Sequence, residues 1–544
     1  MNAKGLRDLS DNLFGKRGTL MSMWQEIAEN FMPERADFTS KRYLGADFAG
    51  NLMSSFPLLC RRDLGDQIGQ MLRPTQKAWF RMGPLDTSRE DNEAKRWLEW
   101  ASGTMFRAMY DPNSLFERAS KEADHDFACF GQDVESVRLN RSRDGLLYRC
   151  WHLRDVAWVE DEEGKVCPIF RKWKPTVQTL VRLSKQSSTF KLDPKVTRLN
   201  EKEPFTEIDC LHMVVQADMY DGDARGMPYW SIYYDCQHEA LIEAVPTWNK
   251  EYAIPRWQTV SGSQYAYSPA TVAALPDARL LQAMTYTLLE AGEKVTNPPL
   301  IATEGSVRSD VAVYAGGITW VEYEYDEREG AALRSMPIDG KGMPIGIDMQ
   351  RDGREMIARA FYLNKLRPFS PTQDPQMTAF QAGQIVAQYI RDALPLFAPM
   401  ESQKNGQVCE LTFDLLLRNG AFGAPVDMPR ALQGAELQFR FTSPLHDAIE
   451  EQKGQKFLQM KALAADAIAM DPNAAAIPNV IEAFRDALSG IQVPARWTRS
   501  EAEAEAMIDA KNAERQQQQM LANLQAGADI AATGAAAAKD LAPA

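Results

Sequence analysis

The chain has 544 residues, 45% apolar and 25% charged, an ordinary globular balance that allows several domains of roughly 150 residues and excludes a disordered chain. The formal net charge of −13 excludes a protein that wraps DNA through a generally basic surface, although an acidic wall lets DNA slide past without sticking. Seven scattered cysteines with no C-x-x-C pair point to reduced, buried thiols. With no apolar N-terminal run and no stretch of about 18 apolar residues, a soluble protein made in the cytoplasm, with no membrane partner, is expected.

The first part reads as helical. Leu20, Trp24, Ile27 and Phe31 form one apolar face that Pro33 ends. A second run, Gly50 to Leu72, carries Leu52, Phe56, Leu59 and Leu64 and closes at Pro74. A third, Glu93 to Tyr110, carries Trp97, Trp100, Met105 and Met109. The period then changes. Val134–Leu139, Leu147–Trp151, Val156–Val159 and Val166–Trp173, separated by Gly-containing turns, read as an antiparallel meander, with Ile208–Gln216 as a further strand. Helices followed by strands suggest one α+β domain to about residue 270.

Pro276 to Val295 is the next expected helix, with proline at its start and Leu281, Met284, Leu288 and Ala291 on one side. Asn297-Pro298-Pro299 stops it. Strands and turns follow to Met343, then a helix from Ile347 to Leu363 using Met349, Met356, Ile357, Ala360 and Phe361. Two helices therefore flank a small β-rich excursion. A proline-rich loop, 364–376, precedes Thr378 and Gln381, a capping-box spacing that opens a long helix. Pro395 and Pro399 should kink it, and Gly420 ends it. Helices are expected from Ser443-Pro444 to Met470, over Ile477–Leu488, and after a second capping box at Thr498 and Glu501. Residues 526–544 are Ala/Gly-rich and read as a mobile tail.

Several motifs then look familiar. Met377-Thr378-Ala379 opens the long helix, and Leu415-Leu416-Leu417-Arg418-Asn419-Gly420 closes it. With them stand Ser268-Pro269 to Ala291, Ala78-Trp79-Phe80 after a Leu-Arg-Pro turn, Phe130-Gly131-Gln132-Asp133, and a Gln-rich helix after Val493-Pro494. In these motifs and their order, over nearly the whole chain, the sequence resembles the head-to-tail connector, or portal, proteins of short-tailed, podovirus-type bacteriophages. It departs from them at Tyr265-Ala266-Tyr267-Ser268, where a glycine and often a basic residue would follow the first tyrosine.

The resemblance implies an α+β, mostly helical portal fold assembled as a ring, usually of twelve subunits. Residues 1–275 would form the wing, 276–296 and 346–363 the two stem helices, and 297–345 the clip. Residues 364–377 would be the tunnel loop, 378–442 the long kinked helix returning to the wing, 443–525 the crown, and 526–544 the tail. The implied function is to form the opening at one capsid vertex of the virion through which genomic DNA is packaged and ejected. Implied partners are further copies of the chain, translocating double-stranded DNA, the terminase packaging motor, tail adaptor proteins, and capsid and scaffolding proteins. No cofactor, metal or catalytic residue is implied.

Individual residues fit that map. Ala278, Ala283, Ala291 and Gly292 would let neighbouring stems approach closely. Lys365 and Arg367, with Pro368, Phe369, Ser370, Thr372 and Gln373, make up the tunnel-loop candidates; the two cations could meet phosphate. Taken alone, that pair also reads as a solvated loop. Between Pro299 and Met343 there are eight acids and four bases. Glu322, Glu324 and Asp326 alternate and share one strand face; with Glu327 and Glu329 they are candidates for channel repulsion or for docking a basic motor or adaptor. A solvated strand is the simpler reading, since no His or Cys partner for a metal lies near. Arg171-Lys172-Trp173-Lys174 could be a nucleic-acid patch but reads more simply as an exposed strand edge. His125, His152, His212, His238 and His446 lack metal-ligand spacing. No G-x-x-x-x-G-K-[ST] loop is present, so the packaging ATPase should be another protein, and no G-x-S-x-G elbow appears. The alternatives are a non-ring virion scaffold or internal protein and a carboxylate-dependent nuclease.

Overall fold

The computed structural model describes residues 1–41, 43, 45–75, 77–86, 92–140, 142–302, 307, 311, 319–321, 333–336, 343–366, 400–424, 428–441, 444–471, 477–490, 493, 497–498, 503–504 and 506–520. Helix and sheet are mixed, as an α+β class requires. The chain divides into two compact units, Met1–Gln76 with Arg107–Asn419, and Lys77–Phe106 with Gly420–Ala544.

The chain opens with α1 (Ala3–Gly15), α2 (Gly18–Phe31) and α3 (Phe56–Leu72). Trp24, Ile27 and Phe31 of α2 are buried, as their spacing predicts. Helix α3 starts six residues later than Gly50, where Phe56-Pro57 supplies a proline in the first turn. β1 (Phe80–Pro84) and α4 (Asn92–Met109) follow, then α5 (Phe116–Phe130), whose three-residue lead-in turn Pro112–Ser114 has no strong sequence signal.

The expected meander is divided between two sheets. β2 (Glu135–Leu139) and β3 (Leu146–Cys150) form a hairpin that β9 (Tyr252–Ala253) joins, in the order β3-β2-β9. The hairpin is drawn to the helices by Tyr148, which is fully buried, packs edge-on against Phe116 (4.9 Å) and hydrogen-bonds Thr412 (2.7 Å). The second sheet is an antiparallel series of β4 (Val156–Glu160), β5 (Val166–Trp173), β6 (Cys210–Gln216), β7 (Tyr229–Asp235) and β8 (Ala240–Thr247). Alternate residues face opposite sides. Phe170, Met213 and Ile232 pack with Leu6 of α1. Cys210 and Tyr233 pack with α6 (Val177–Ser184) and α7 (Pro194–Lys202), the insert between β5 and β6.

That order corrects one reading. At Arg171 the run Arg171-Lys172-Trp173-Lys174 is not a strand edge, because β5 pairs there with both β4 and β6, whereas Lys172 and Trp173 pair with β6 alone. Arg171 is buried, stacks over Trp151 at 3.9 Å, and donates to the Tyr252 hydroxyl at 2.8 Å.

Helix α8 runs Pro269–Thr296, seven residues longer at its start than Pro276 implies. Ser268 caps it and Pro269 occupies the first turn, so Pro276 falls inside the helix. β10 (Leu300–Ala302) pairs antiparallel with β11 (Leu333–Ser335), and α9 runs Met343–Ala360. A one-turn helix, Leu363–Leu366, ends this stretch. A π-helical turn, Glu401–Gly406, leads into the helix Gln407–Arg418, and Gly420 follows with φ +75°.

In the second unit, β1 pairs antiparallel with β12 (Leu437–Phe441) through Phe80 opposite Phe441. This explains Ala78-Trp79-Phe80: both aromatics are buried, and Trp79 stacks near Phe441 at 6.3 Å. The helices Pro444–Met470 and Val480–Gly490 pack together, with Phe457 and Phe484 5.6 Å apart. Residues 526–544 lie outside the described residues. Among the described residues no helix is long and apolar enough to cross a membrane.

Candidate functional site

The α8–α9 hairpin rests on a socket built by Phe130-Gly131-Gln132-Asp133. Helix α5 ends at Phe130, and its last carbonyls need donors. Ser268 Oγ donates to the Ala128 carbonyl (2.7 Å), and Thr271 Oγ1 donates to that of Cys129 (2.8 Å). Ser268 Oγ also accepts from Thr271 N (3.4 Å), so one serine ends one helix and starts the next. Gly131 has φ +73°, and a Cβ there would lie 2.1 Å from the Tyr267 backbone. Gln132 Oε1 accepts from Ala266 N at 2.8 Å.

The first half of α8 is buried through Ala270, Thr271, Ala274, Leu275, Ala278 and Leu281. Beyond that, α9 is its partner. Gln350 Nε2 donates to Thr285 Oγ1 (2.7 Å), and a Cβ on Gly346 would meet Leu288 at 2.8 Å. The root of α9 is fixed by Ile357 and Phe361, both fully buried, with Phe361 5.4 Å from Phe31. At 28 residues, α8 is about 42 Å long.

Away from this root the hairpin leaves apolar surface in water. Leu280, Tyr286, Leu289 and Val295 of α8 are exposed, as are Ile345 (64%), Ile347, Met349 and Met356 of α9. Large apolar side chains exposed on both helices of one hairpin make it a candidate interaction surface. Of the small residues singled out in α8, Ala278 is buried, Ala283 is exposed, and Gly292 has nothing within 4 Å of where a Cβ would stand. Gly353 of α9 is equally open.

Close to the socket lies a buried charge cluster. Arg73 Nη2 donates to both oxygens of Asp124, and its Nη1 to Asn405 Oδ1 (2.6 Å). Asn405 Nδ2 donates to the Leu72 carbonyl (3.2 Å). Lys404 Nζ donates to Asp133 and lies 3.4 Å from Asp124. Glu135 accepts from Ser120 Oγ (3.2 Å). The π-helical turn brings Lys404 and Asn405, adjacent in sequence, into the same interior. Three carboxyls thus face two cations. Burial raises the pKa of Asp133 to about 7 against the pull of Lys404, and raises that of Glu135. One carboxyl proton balances the cluster.

The structure places only part of the candidate set. Lys365 is exposed on the turn Leu363–Leu366, its backbone N–H bonded to the Tyr362 carbonyl (2.9 Å). Arg367, Pro368, Phe369, Ser370, Thr372 and Gln373 lie outside the described residues, as do Glu322, Glu324, Asp326, Glu327, Glu329, Thr378, Gln381, Pro395 and Pro399. His212 is a fully buried core histidine between the Tyr252 hydroxyl (2.6 Å) and Ser231 (2.9 Å), and burial drives its pKa well below the ordinary range. Among the described residues no group of three or more His, Cys, Asp or Glu could hold a metal ion. All seven cysteines are unpaired; burial pushes the thiol pKa values of Cys60 and Cys167 up to about 12. The charge cluster and the hydroxyl socket escaped sequence reading. Their one signal was the Phe-Gly-Gln-Asp motif.

Comparison with known proteins agrees with the motifs. A family model described as bacteriophage head to tail connecting protein matches residues 3–498. The portal protein of Salmonella phage epsilon15 is 19% identical over 448 residues, covering 80% of this chain and 78% of that protein. Among solved structures, a chain of the virion of a native gene transfer agent particle covers 75% of this chain and 86% of its own, at 8% identity and a TM-score of 0.36.

Proposed function

The chain belongs to the family of bacteriophage head-to-tail connecting proteins, and from that premise we propose that it assembles as a ring of twelve that conducts genomic DNA. It is a portal component of the virion, at the capsid vertex. The proposed ring passes DNA inward while a terminase motor docks outside, then presents the same end to tail adaptors. Capsid and scaffolding proteins hold its rim. The subunit supplies geometry and does no chemistry.

The observation that carries the ring is the α8–α9 hairpin, whose exposed apolar residues have no partner among the described residues that removes them from water. Burying such surface is worth roughly 25 cal/mol per Å², and identical neighbours can supply the cover all around a closed ring. In this reading α8 and α9 are the stem, residues 297–345 the clip, and 364–377 the tunnel loop. Residues 378–442 return to the wing, and 443–525 form the crown. Ala283, Gly292 and Gly353 let stems approach closely. Lys365 and Arg367 brace passing phosphates, and Glu322, Glu324 and Asp326 repel them or dock the motor.

The DNA-conducting role is tested with K365Q/R367Q phage. Rings of normal mass with fewer retained genomes are expected; wild-type genome retention would remove the loop from the proposal.

A further inference from the structure

The chain's acidity is unevenly spread. Between Lys172 and Lys202 there are eight Lys/Arg and two Asp/Glu, a net of +6 in a chain totalling −13, so the remainder carries −19. Lys172 Nζ sits over the Phe14 ring at 4.1 Å, and Lys174 pairs with Asp209 at 2.7 Å. The other six, Arg182, Lys185, Lys191, Lys195, Arg198 and Lys202, are exposed, and none has a carboxylate partner among the described residues.

These six sit on the insert between β5 and β6. Helices α6 and α7 turn Val177, Leu180, Val181 and Val196 into one buried cluster with Phe190, Ile208 and Ile242. Their remaining faces point away from that shared core. Arg182 and Lys185 stand three residues apart. Lys195, Arg198 and Lys202 follow i, i+3, i+7 spacing and line one face of α7 over about 10 Å. Lys191 is in the link, where its backbone N–H is pinned to the Ile242 carbonyl at 2.8 Å.

We infer that the outward face of α6–α7 binds the phosphate backbone of double-stranded DNA without sequence preference, as a contact separate from the Lys365 loop. Two features select nucleic acid over an acidic protein. The face offers cations and small polar groups (Gln178, Gln186, Ser188, Thr197), the types that position phosphates. The one large apolar side chain exposed on the insert is Phe205, past the end of α7, so the cationic face itself, from Arg182 to Lys202, offers none of the anchors on which protein–protein interfaces depend. The acidity of the rest of the chain disfavours duplex binding elsewhere on its general surface. The inference stands whether or not the chain closes into a ring.

The test is a fluorescence-polarisation titration of the full-length protein with a mixed-sequence duplex and a shuffled one, across salt concentrations. Both duplexes should bind alike. With six phosphate contacts the affinity should fall on the order of 10³-fold between 50 and 200 mM salt. The variant R182Q/K185Q/K191Q/K195Q/R198Q/K202Q should lose binding at least tenfold with an unchanged melting temperature, while K365Q/R367Q keeps it. Absence of duplex binding by the wild type, or equal binding by the six-fold variant, overturns the inference. Patch-dependent capture of poly-glutamate without capture of DNA overturns it in favour of an acidic protein.

Discussion

The residues that decide the geometry here are polar and buried. Arg73, Lys404, Asp124, Asp133 and Glu135 share one interior, and the excess carboxyl makes it sensitive to pH. Asp133 titrates near 4 when exposed and at about 7 in the fold, so the folded state holds the extra proton in that window. Its contribution to stability is complete below about 4 and is lost as pH rises toward 7. In D133N that dependence disappears while Lys404 keeps an acceptor. We expect the melting temperature of D133N to decline less than that of the wild type between pH 5 and 8; parallel profiles would contradict this. Gly131 gives a second expectation. A methyl there would strike backbone atoms of Tyr267, which no rotamer change relieves, and φ +73° disfavours any L side chain. G131A should therefore destabilise by more than about 1 kcal/mol in denaturant titration, while G103A, at an open helical position, should not. At this scale the sequence exposed the motif but not its purpose. Gly131 and Asp133 act on Tyr267 and Lys404, more than a hundred residues away, and no local period reports such contacts.

At the scale of elements, periodicity served well where one face is buried. Helix α2, the strands β4 to β6, α9 and the C-terminal end of α8 all stand where their patterns put them, within a few residues. Failures came where tertiary contacts override a local cue. Pro276 signals a helix start, but the Ser268 cap and its bonds to α5 carry the helix past it. The β2–β3 hairpin has the alternation of the later strands yet joins β9, because its buried face meets α5 and the helix Gln407–Arg418. At Arg171, pairing with both β4 and β6 makes β5 an inner strand, and the basic run itself carries no sign of those partners. The α8–α9 pair, our proposed stem, supplies the expectation that belongs here. Tyr286, Leu289 and Ile347 are more than half exposed, so L289E/I347E should fold with a melting temperature like that of the isolated wild-type subunit. Its assembly should fail, leaving monomers or small oligomers by native mass spectrometry. Intact rings in that variant would mean that the stem is not the seam.

For the molecule as a whole, the net charge of −13 conceals a division of labour. Most of the chain is acidic, the run Lys172–Lys202 is basic, and Lys365 is exposed on its turn; the first repels phosphate, and in our proposals the other two meet it. An average over the composition excludes a DNA-wrapping protein and misses this arrangement, because charge acts through its placement within roughly a Debye length. In the proposed ring, copies of the chain would cover the apolar side chains that α8, about 42 Å long, and α9 leave exposed. The most direct measurement is cryo-electron microscopy of the purified full-length protein with no symmetry imposed. We expect a closed ring of about twelve subunits, with α8 and α9 packed against their counterparts around an opening wide enough for a duplex, roughly 20 Å. A solitary subunit, or a closed assembly with no such opening, would contradict it.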